Sequence, residues 1–222
     1  MDLHLLNIKI LNHILKFLTE IQLFVYRRKL KNHNFTILAN NCVGAMIYHD
    51  LKEPFNTPFI NNGLLDPDDF FTFCEHLEYY ASIPLYPAKT NFTTPFCELR
   101  GKFGTLLLNC LHYPSEEEAI KKWYERRTRI NYDNVFIIME VWNITPDIIE
   151  KFDKLKWKNK VLISSVDGEN HFQMPKDFYQ TDYHFGKILE KTRWGIHRYL
   201  ECFDYVRFLN GEGIHTRKMW FY

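Results

Sequence analysis

The residues with the clearest chemical potential lie in a short turn between a predicted strand and a predicted helix. The segment that begins at Leu38 reads LANNCVGAMIYHDL. The first backbone N–H groups of a helix lack partners within the helix, and the helix dipole adds positive potential, so anions bind there. Asn40, Asn41 and Gly44 are therefore candidate ligands for a phosphate or another anionic group. The loop matches neither G-x-G-x-x-G nor G-x-x-x-x-G-K-[ST], so it carries no nucleotide-binding motif.

Cys42, in the same turn, is a candidate nucleophile. A thiolate at a helix N-terminus is stabilised, which lowers the pKa of the thiol and raises its reactivity. Such a cysteine needs a base, and His112, at the end of the apolar run GTLLLNCLHY, is the candidate because its unperturbed pKa lies near neutrality. Under the alternative interpretation, which stays open, Cys42 is a small buried residue and Asn40 or Asn41 caps the helix.

Arg126 and Arg127 are candidates for binding a phosphate-bearing ligand. They belong to the predicted helix SEEEAIKKWYERRTRIN. At about 100° per residue, both fall within or beside the arc of its apolar residues, which are Ala119, Ile120, Trp123 and Ile130. Guanidinium groups on a core-facing side need carboxylates, carbonyls or a bound anion. Two interpretations stay open: internal pairing with Asp133 or Asp153, or a clamp for a phosphate or sugar nucleotide.

Metal and disulfide chemistry receive little support from the sequence. Asp66 and Asp68 have the D-x-D spacing of the metal-binding motif in many glycosyltransferases, but the helix dipole alone favours acidic residues at a helix start. The five cysteines are scattered, odd in number and without a C-x-x-C pair: Cys42, Cys74, Cys97, Cys110 and Cys202. We therefore predict no metal site, no disulfide framework and a reducing, cytoplasmic compartment.

The composition indicates a globular protein with one sizeable core or two small ones. The chain has 222 residues, of which 46% are hydrophobic, 25% are charged and 17% are aromatic. Such a high aromatic content favours a core filled with rings or surfaces that stack on sugars. The formal net charge of +1 creates no field that would attract nucleic acid, so no nucleic-acid partner is predicted.

The elements that position these residues alternate between strand and helix. Apolar runs predict strands at 35–39, 104–113, 134–141 and 160–165. Helices are predicted to begin near Val43, at Asp66-Pro67, at the capping box of Ser115 and Glu118, and at Thr145-Pro146. This order predicts an α/β fold with a parallel or mixed sheet covered on both faces. Within it, 104–113 reads as a central strand buried on both faces, and 82–98 as irregular.

Residues 1–33 predict an amphipathic helix that precedes a single α/β domain at 34–222. Its apolar residues recur every three or four positions: Leu3, Leu6, Ile10, Ile14, Phe17, Ile21 and Phe24. The helix ends in basic residues, and it lacks the features of a bilayer span or a signal peptide. One interpretation packs the apolar stripe on the domain. In the other, residues 1–31 contact an anionic membrane face or an assembly complex.

Several long blocks of the chain resemble one bacterial family. They are NNCVGAMIYHDL, TPFINNGLL…DFFTFCEHLEYY, LHYPSEEEAIKKWYERRTRINYDNVFIIM, EKFDKLKWKNKVLISS and RYLECFDYVRFLNG, between Asn40 and Gly211. Their order is similar to that in the domain-of-unknown-function family DUF1919, whose members often carry labels of exopolysaccharide or capsular polysaccharide biosynthesis. The resemblance implies a three-layer α/β/α domain. Where it leads us to expect an Asp-Gly turn after VFIIM, this chain has EVWNITPD, with Glu140 and Asp147 as the nearby acidic residues.

The resemblance implies a protein of surface polysaccharide biosynthesis, and the candidate residues suggest a sugar-directed transferase with an activated, phosphate-bearing donor. A sugar or sugar nucleotide would be its ligand, and no cofactor is identified. In this hypothesis the 40–44 loop holds an anionic group, both arginines neutralise phosphate charge, and His112 is the general base for an acceptor hydroxyl. Two alternatives stay open: a non-catalytic scaffold or regulator of a membrane-associated polysaccharide assembly complex, and an acyltransferase or hydrolase that uses Cys42 and His112.

Overall fold

Helices and strands alternate along the chain in its computed structural model, which describes residues 3–60, 62–64, 66–174, 178, 188 and 203–216. The helices are α1 (Leu3–Lys29), α2 (Val43–Leu51), α3 (Pro67–Glu75), α4 (Leu77–Ser82), α5 (Glu116–Arg127), α6 (Pro146–Lys154) and α7 (Tyr205–Leu209). The strands are β1 (Thr36–Ala39), β2 (Gly63–Leu64), β3 (Leu85–Pro87), β4 (Phe96–Gly101), β5 (Gly104–Asn109), β6 (Val135–Glu140), β7 (Asn159–Ser164) and β8 (His171–Gln173).

The predicted helix starts at Ser115 and Thr145 are confirmed by their caps. Ser115 Oγ accepts a hydrogen bond from the N–H of Glu118 at 3.4 Å. Thr145 Oγ1 accepts one from the N–H of Ile148 at 3.3 Å, with Pro146 in the first turn of α6. These side chains satisfy backbone donors that the helix itself leaves unpaired, which is why the local sequence was sufficient to place both helices.

A parallel sheet in the order β1-β6-β7-β8 forms the centre of the fold. All six residues of β6 are buried, and the five apolar ones alternate between two apolar clusters on opposite faces of the sheet. One face is covered by α1, α2 and α7, and the other by α3 to α6 with a second sheet. The predicted three-layer α/β architecture is therefore confirmed. Because the strands are parallel, their carboxyl ends share one edge of the sheet.

The strand predicted at 104–113 is present over Gly104–Asn109, but the prediction that it is a central strand buried on both faces is wrong. The structure has β5 there, in a separate antiparallel sheet of order β2-β5-β4-β3. Gly104 and Thr105 are exposed, and burial alternates beyond them, as expected for a strand with one face on a core. Segment 82–98 was likewise predicted to be irregular because of its prolines, but it contains β3 and the start of β4. Apolar content alone does not distinguish these two strand environments.

The N-terminal helix is confirmed, but its described apolar stripe faces away from the domain. Leu23 and Tyr26 are buried in the core on the inner side of α1. On the outer side the large apolar residues are exposed: Ile14, Phe17, Ile21 and Phe24. No helix in the described part of the chain combines the length and the apolar character that crossing a membrane would require.

Candidate functional site

The 40–41 segment lies at the carboxyl edge of the parallel sheet and is joined there to β6. Asn40 Nδ2 donates to the carbonyl oxygen of Glu140 at 2.9 Å, and the N–H of Glu140 donates to Asn40 Oδ1 at 3.0 Å. The side chain of Asn40 thus reproduces the two bonds of a strand partner just where β1 ends. Both residues are buried, so these bonds fix the course of the loop relative to β6.

Asn41 and the carboxylate of Glu140 form a second link at the same edge. Asn41 Nδ2 donates to Glu140 Oε2 at 2.8 Å, and Asn41 Oδ1 accepts from the N–H of Val43 at 3.0 Å. Glu140 Oε1 accepts from the N–H of Ile188 at 2.9 Å. Both oxygens of this buried carboxylate are therefore occupied by donors, as a buried charge requires. The link orients the first turn of α2, and the same carboxylate holds Ile188 at the sheet.

In the first turn of α2, two backbone N–H groups have no acceptor among the described residues; Gly44 is buried and Ala45 is half-buried. Cys42 is the N-cap residue, and its side chain makes no capping bond. The N–H of Val43 is bound to Asn41 Oδ1, and the N–H of Met46 donates to the carbonyl of Cys42 at 3.1 Å. Among hydrogen bonds between residues that the structure describes, none has the N–H of Gly44 or Ala45 as its donor. These two amides therefore carry the positive potential of the helix terminus.

The thiol of Cys42 differs from the activated nucleophile considered above. Cys42 is half-buried, and burial raises the pKa of its thiol above the ordinary value. Desolvation is the cause of this shift, because it disfavours the charged thiolate. The protonated thiol is consequently the dominant form near neutral pH, and the environment of Cys42 does not favour nucleophilic catalysis.

Two glycines allow close backbone approaches around the loop. A Cβ atom on Gly44 would lie 3.1 Å from Ile37 Cγ2, so this glycine lets α2 pack tightly against β1. A Cβ atom on Gly63 would lie 2.8 Å from the carbonyl oxygen of Asn40, which brings β2 against the loop. Gly44 therefore has a packing role, in addition to the N–H group that made it a candidate ligand.

His112 lies on the same side of the molecule as the loop. Asn109, the last residue of β5, pairs with Gly63, and Gly63 approaches the carbonyl of Asn40. His112 follows in the turn before α5 and is exposed to solvent. This placement suits a group that exchanges protons with a bound ligand or with water. Its position depends on β5 belonging to the antiparallel sheet, which the sequence did not indicate.

Arg126 and Arg127 do not converge on the loop. The chain after α5 reaches the amino edge of the parallel sheet, where the N–H of Asn131 donates to Oγ1 of Thr36, the first residue of β1, at 2.8 Å. Because the 40–44 loop follows the other end of β1, the end of α5 and the loop belong to opposite edges. The geometry therefore separates the two parts of the proposed clamp.

The two guanidinium groups are also bound within the protein, although not by Asp133 or Asp153. Arg126 Nη1 donates to Tyr113 Oη at 2.6 Å, and its guanidinium lies 5.2 Å from the ring centroid of Phe55. Arg127 Nη1 lies 3.1–3.2 Å from the carbonyl oxygens at the end of α4, which belong to Ala81, Ser82 and Ile83. Arg127 thus caps α4 through carbonyls that the helix leaves unpaired.

Residue spacing in the sequence did not identify Glu140 as the residue that holds the loop at this edge. The available signal was a carboxylate at the end of the otherwise apolar run VFIIM, where a buried charge needs partners. Asp147, the other nearby acidic residue, instead pairs with Lys151 at 2.8 Å in the first turns of α6. The described residues contain no group of three side chains arranged to hold a metal ion.

Comparisons with known proteins agree with the resemblance. The chain matches the family described as "Domain of unknown function (DUF1919)" over residues 13–210, a range that also includes much of α1. An uncharacterized protein of Haemophilus influenzae is 35% identical over 194 residues, which cover 83% of this chain and 88% of the relative. A match over this share of the sequence extends through both sheets and the Asn40–Glu140 link. The chain therefore belongs to the DUF1919 family.

Proposed function

We propose that this protein is a cytoplasmic, sugar-directed transferase of surface polysaccharide biosynthesis that binds an activated, phosphate-bearing donor at the carboxyl edge of its parallel sheet. The observation that carries this proposal is the first turn of α2, where the amides of Gly44 and Ala45 have no protein acceptor among the described residues. Backbone amides at a helix start bind phosphate through both hydrogen bonds and the dipole.

The loop is preorganised for such a ligand. Asn40 is fixed to the backbone of β6, and Asn41 is held between the Glu140 carboxylate and the N–H of Val43. These bonds fix the directions of the α2 amides before a ligand arrives, so binding costs little further ordering. Asn40, Asn41 and Glu140 accordingly act as positioning residues, and the amides contact the phosphate.

The substrate class comes from the resemblance to proteins with polysaccharide-biosynthesis labels. In this proposal the donor's phosphate leaves with the electron pair of the bond to the sugar, and the acceptor hydroxyl oxygen forms the new bond. His112 takes the proton of that hydroxyl. Arg126 and Arg127 are assigned no role in donor binding, because their guanidinium groups are bound within the protein. The four cysteines in the described part of the chain are free thiols, which supports a reducing compartment.

Calorimetric titration of the full chain with UDP-glucose, UDP-N-acetylglucosamine and GDP-mannose tests donor binding. Ala45→Pro removes one of the two amide donors at the third residue of α2, where no hydrogen bond within the helix is lost. Ala45→Ser keeps the amide and is the matched control. We expect Ala45→Pro to weaken binding of the recognised donor by about tenfold, the effect of losing one charge-assisted hydrogen bond. Ala45→Ser should bind like the unmodified protein.

The catalytic part is tested by nucleoside diphosphate release from the bound donor. His112→Gln should reduce turnover by about 100-fold, the usual contribution of a general base, while the donor Kd stays unchanged. If none of the donors binds, or if Ala45→Pro binds as tightly as Ala45→Ser, donor binding at the α2 amides is incorrect. Unchanged turnover in His112→Gln would remove His112 from the reaction.

A further inference from the structure

The outer face of α1, defined here as Ile14, Phe17, Ile21 and Phe24, is an exposed apolar surface. Their exposed fractions are 50%, 65%, 39% and 55% in the same order. At about 100° and 1.5 Å per residue, the four side chains occupy an arc of roughly 80° and a length of roughly 15 Å. An apolar strip of this shape is characteristic of a helix that lies along another apolar surface.

The opposite side of α1 is anchored, so the outer face is held outward. The ring of Tyr26 packs edge-on against Tyr205 with centroids 5.7 Å apart. Asn210 Oδ1 accepts from the N–H of Lys31 at 2.8 Å, and Asn210 Nδ2 donates to the carbonyl of Lys29 at 3.0 Å. Rotating α1 to bury its outer face would break these contacts. The exposure therefore follows from the way α1 is attached to the domain.

The surface beside the outer face is cationic. Residues 13–31 contain one acidic residue, Glu20, and five basic ones, which are Lys16, Arg27, Arg28, Lys29 and Lys31. Except for Arg27, these basic residues are exposed. The guanidinium of Arg28 lies 5.7 Å from the ring centroid of Phe24, at the end of the apolar strip. Since the whole chain has a net charge of only +1, positive charge is concentrated on this helix.

We propose that the outer face of α1 binds the surface of an anionic lipid bilayer. The helix would lie in the plane of the interface, with its Ile and Phe side chains at the boundary between headgroups and acyl chains. The neighbouring lysines and arginines would face the lipid phosphates, and each basic side chain near such a surface strengthens binding by roughly fivefold. A second copy of the chain is a poorer partner, because pairing two outer faces would bring like charges together.

Vesicle co-sedimentation of the full chain tests this proposal. The probes are vesicles of phosphatidylcholine alone and of phosphatidylcholine mixed with phosphatidylglycerol, whose headgroup is anionic. The main variant is Phe17→Gln. Phe92→Gln is the matched control, because Phe92 is 66% exposed and lies away from α1, in the loop before β4. Lys16→Gln combined with Arg28→Gln tests the charge contribution.

We expect at least about tenfold stronger binding to the anionic vesicles than to neutral ones, and weaker binding at high salt. Phe17→Gln should reduce binding by about tenfold, and the double charge variant by more, whereas Phe92→Gln should leave it unchanged. Absence of binding to anionic vesicles would overturn the proposal, as would equal binding by Phe17→Gln. A dimer in sedimentation velocity that Phe17→Gln dissociates would assign the face to a second copy instead. These measurements involve no sugar nucleotide, so they are independent of the proposed transferase activity.

Discussion

The side-chain link between Asn40 and Glu140 should contribute measurably to stability, because it replaces strand pairing at the end of β1. Asn40→Ala removes both hydrogen bonds, of 2.9 and 3.0 Å, and leaves the N–H and carbonyl of Glu140 buried without that partner. Each lost bond costs about 1 kcal/mol, and stranded buried backbone groups add to this. We therefore expect the free energy of unfolding to fall by about 2–4 kcal/mol, which is a large fraction of the 5–15 kcal/mol typical of domains.

Asn40→Asp provides a test that depends on pH. It places a carboxylate oxygen where Nδ2 now donates to the Glu140 carbonyl, so two acceptors face each other near neutral pH. The variant should then be less stable than Asn40→Ala. Near pH 4 a larger share of the introduced carboxyl is protonated and can donate to that carbonyl, so the difference from the unmodified protein should become smaller.

Urea unfolding followed by circular dichroism measures these differences as shifts in the midpoint at constant slope. Asn91→Ala, which truncates an exposed asparagine, is the control and should change the unfolding free energy by less than about 0.5 kcal/mol. The reasoning would be refuted if Asn40→Ala unfolded at the same urea concentration as the control. It would also be refuted if Asn40→Asp were as stable as the unmodified protein at pH 7.

Three further predictions concern neighbouring features. Arg127→Gln should lower the unfolding free energy by about 1–3 kcal/mol, because the carbonyls at the end of α4 lose their cap. Arg129→Gln, at an exposed position, should have little effect, and equal urea midpoints for the two variants would contradict this prediction. Gly63→Ala should cost about 1–3 kcal/mol in the same assay because its Cβ would lie 2.8 Å from the Asn40 carbonyl oxygen, and an unchanged midpoint would contradict that contact. Burial raises the pKa of the Cys42 thiol above its ordinary value of 9.0. The rate at which iodoacetamide labels Cys42, measured by peptide mass spectrometry, should therefore still increase beyond pH 9. A rate that levels off near pH 7 would contradict the raised pKa.

Local sequence signals predicted those elements whose determinants lie within a few residues of each other. The cap of Ser115 over Glu118 and the start of α6 at Thr145-Pro146 depend on side chains next to the amides they satisfy. The fully apolar run of β6 likewise indicated a strand covered on both faces. By contrast, β5 has comparable apolar content but one exposed end, and its antiparallel partners could be identified only from long-range pairing.

The sequence identified the loop at 40–44 but not what holds it. Asn40 and Asn41 were expected to cap a helix or bind an anion. Asn41 does accept from the first N–H of α2, but both side-chain amides also bond to Glu140, which lies about a hundred residues further along the chain. Helical spacing also predicted correctly that Arg126 and Arg127 lie on the side of the helix that faces the protein. It contained no information on the sheet edge they reach, since that depends on where the chain after α5 meets β1.

The sequence by itself determined the alternation of helices and strands, the strand-to-helix turn at Asn40 and the amphipathic character of α1, because hydrophobic periodicity and capping act over a few residues. Only the tertiary structure decided which side of α1 is buried. Both sides of that helix carry large apolar residues, and Tyr26 packs against Tyr205 while Phe17 and Phe24 remain exposed. Periodicity defines an apolar face but does not specify the surface against which it packs.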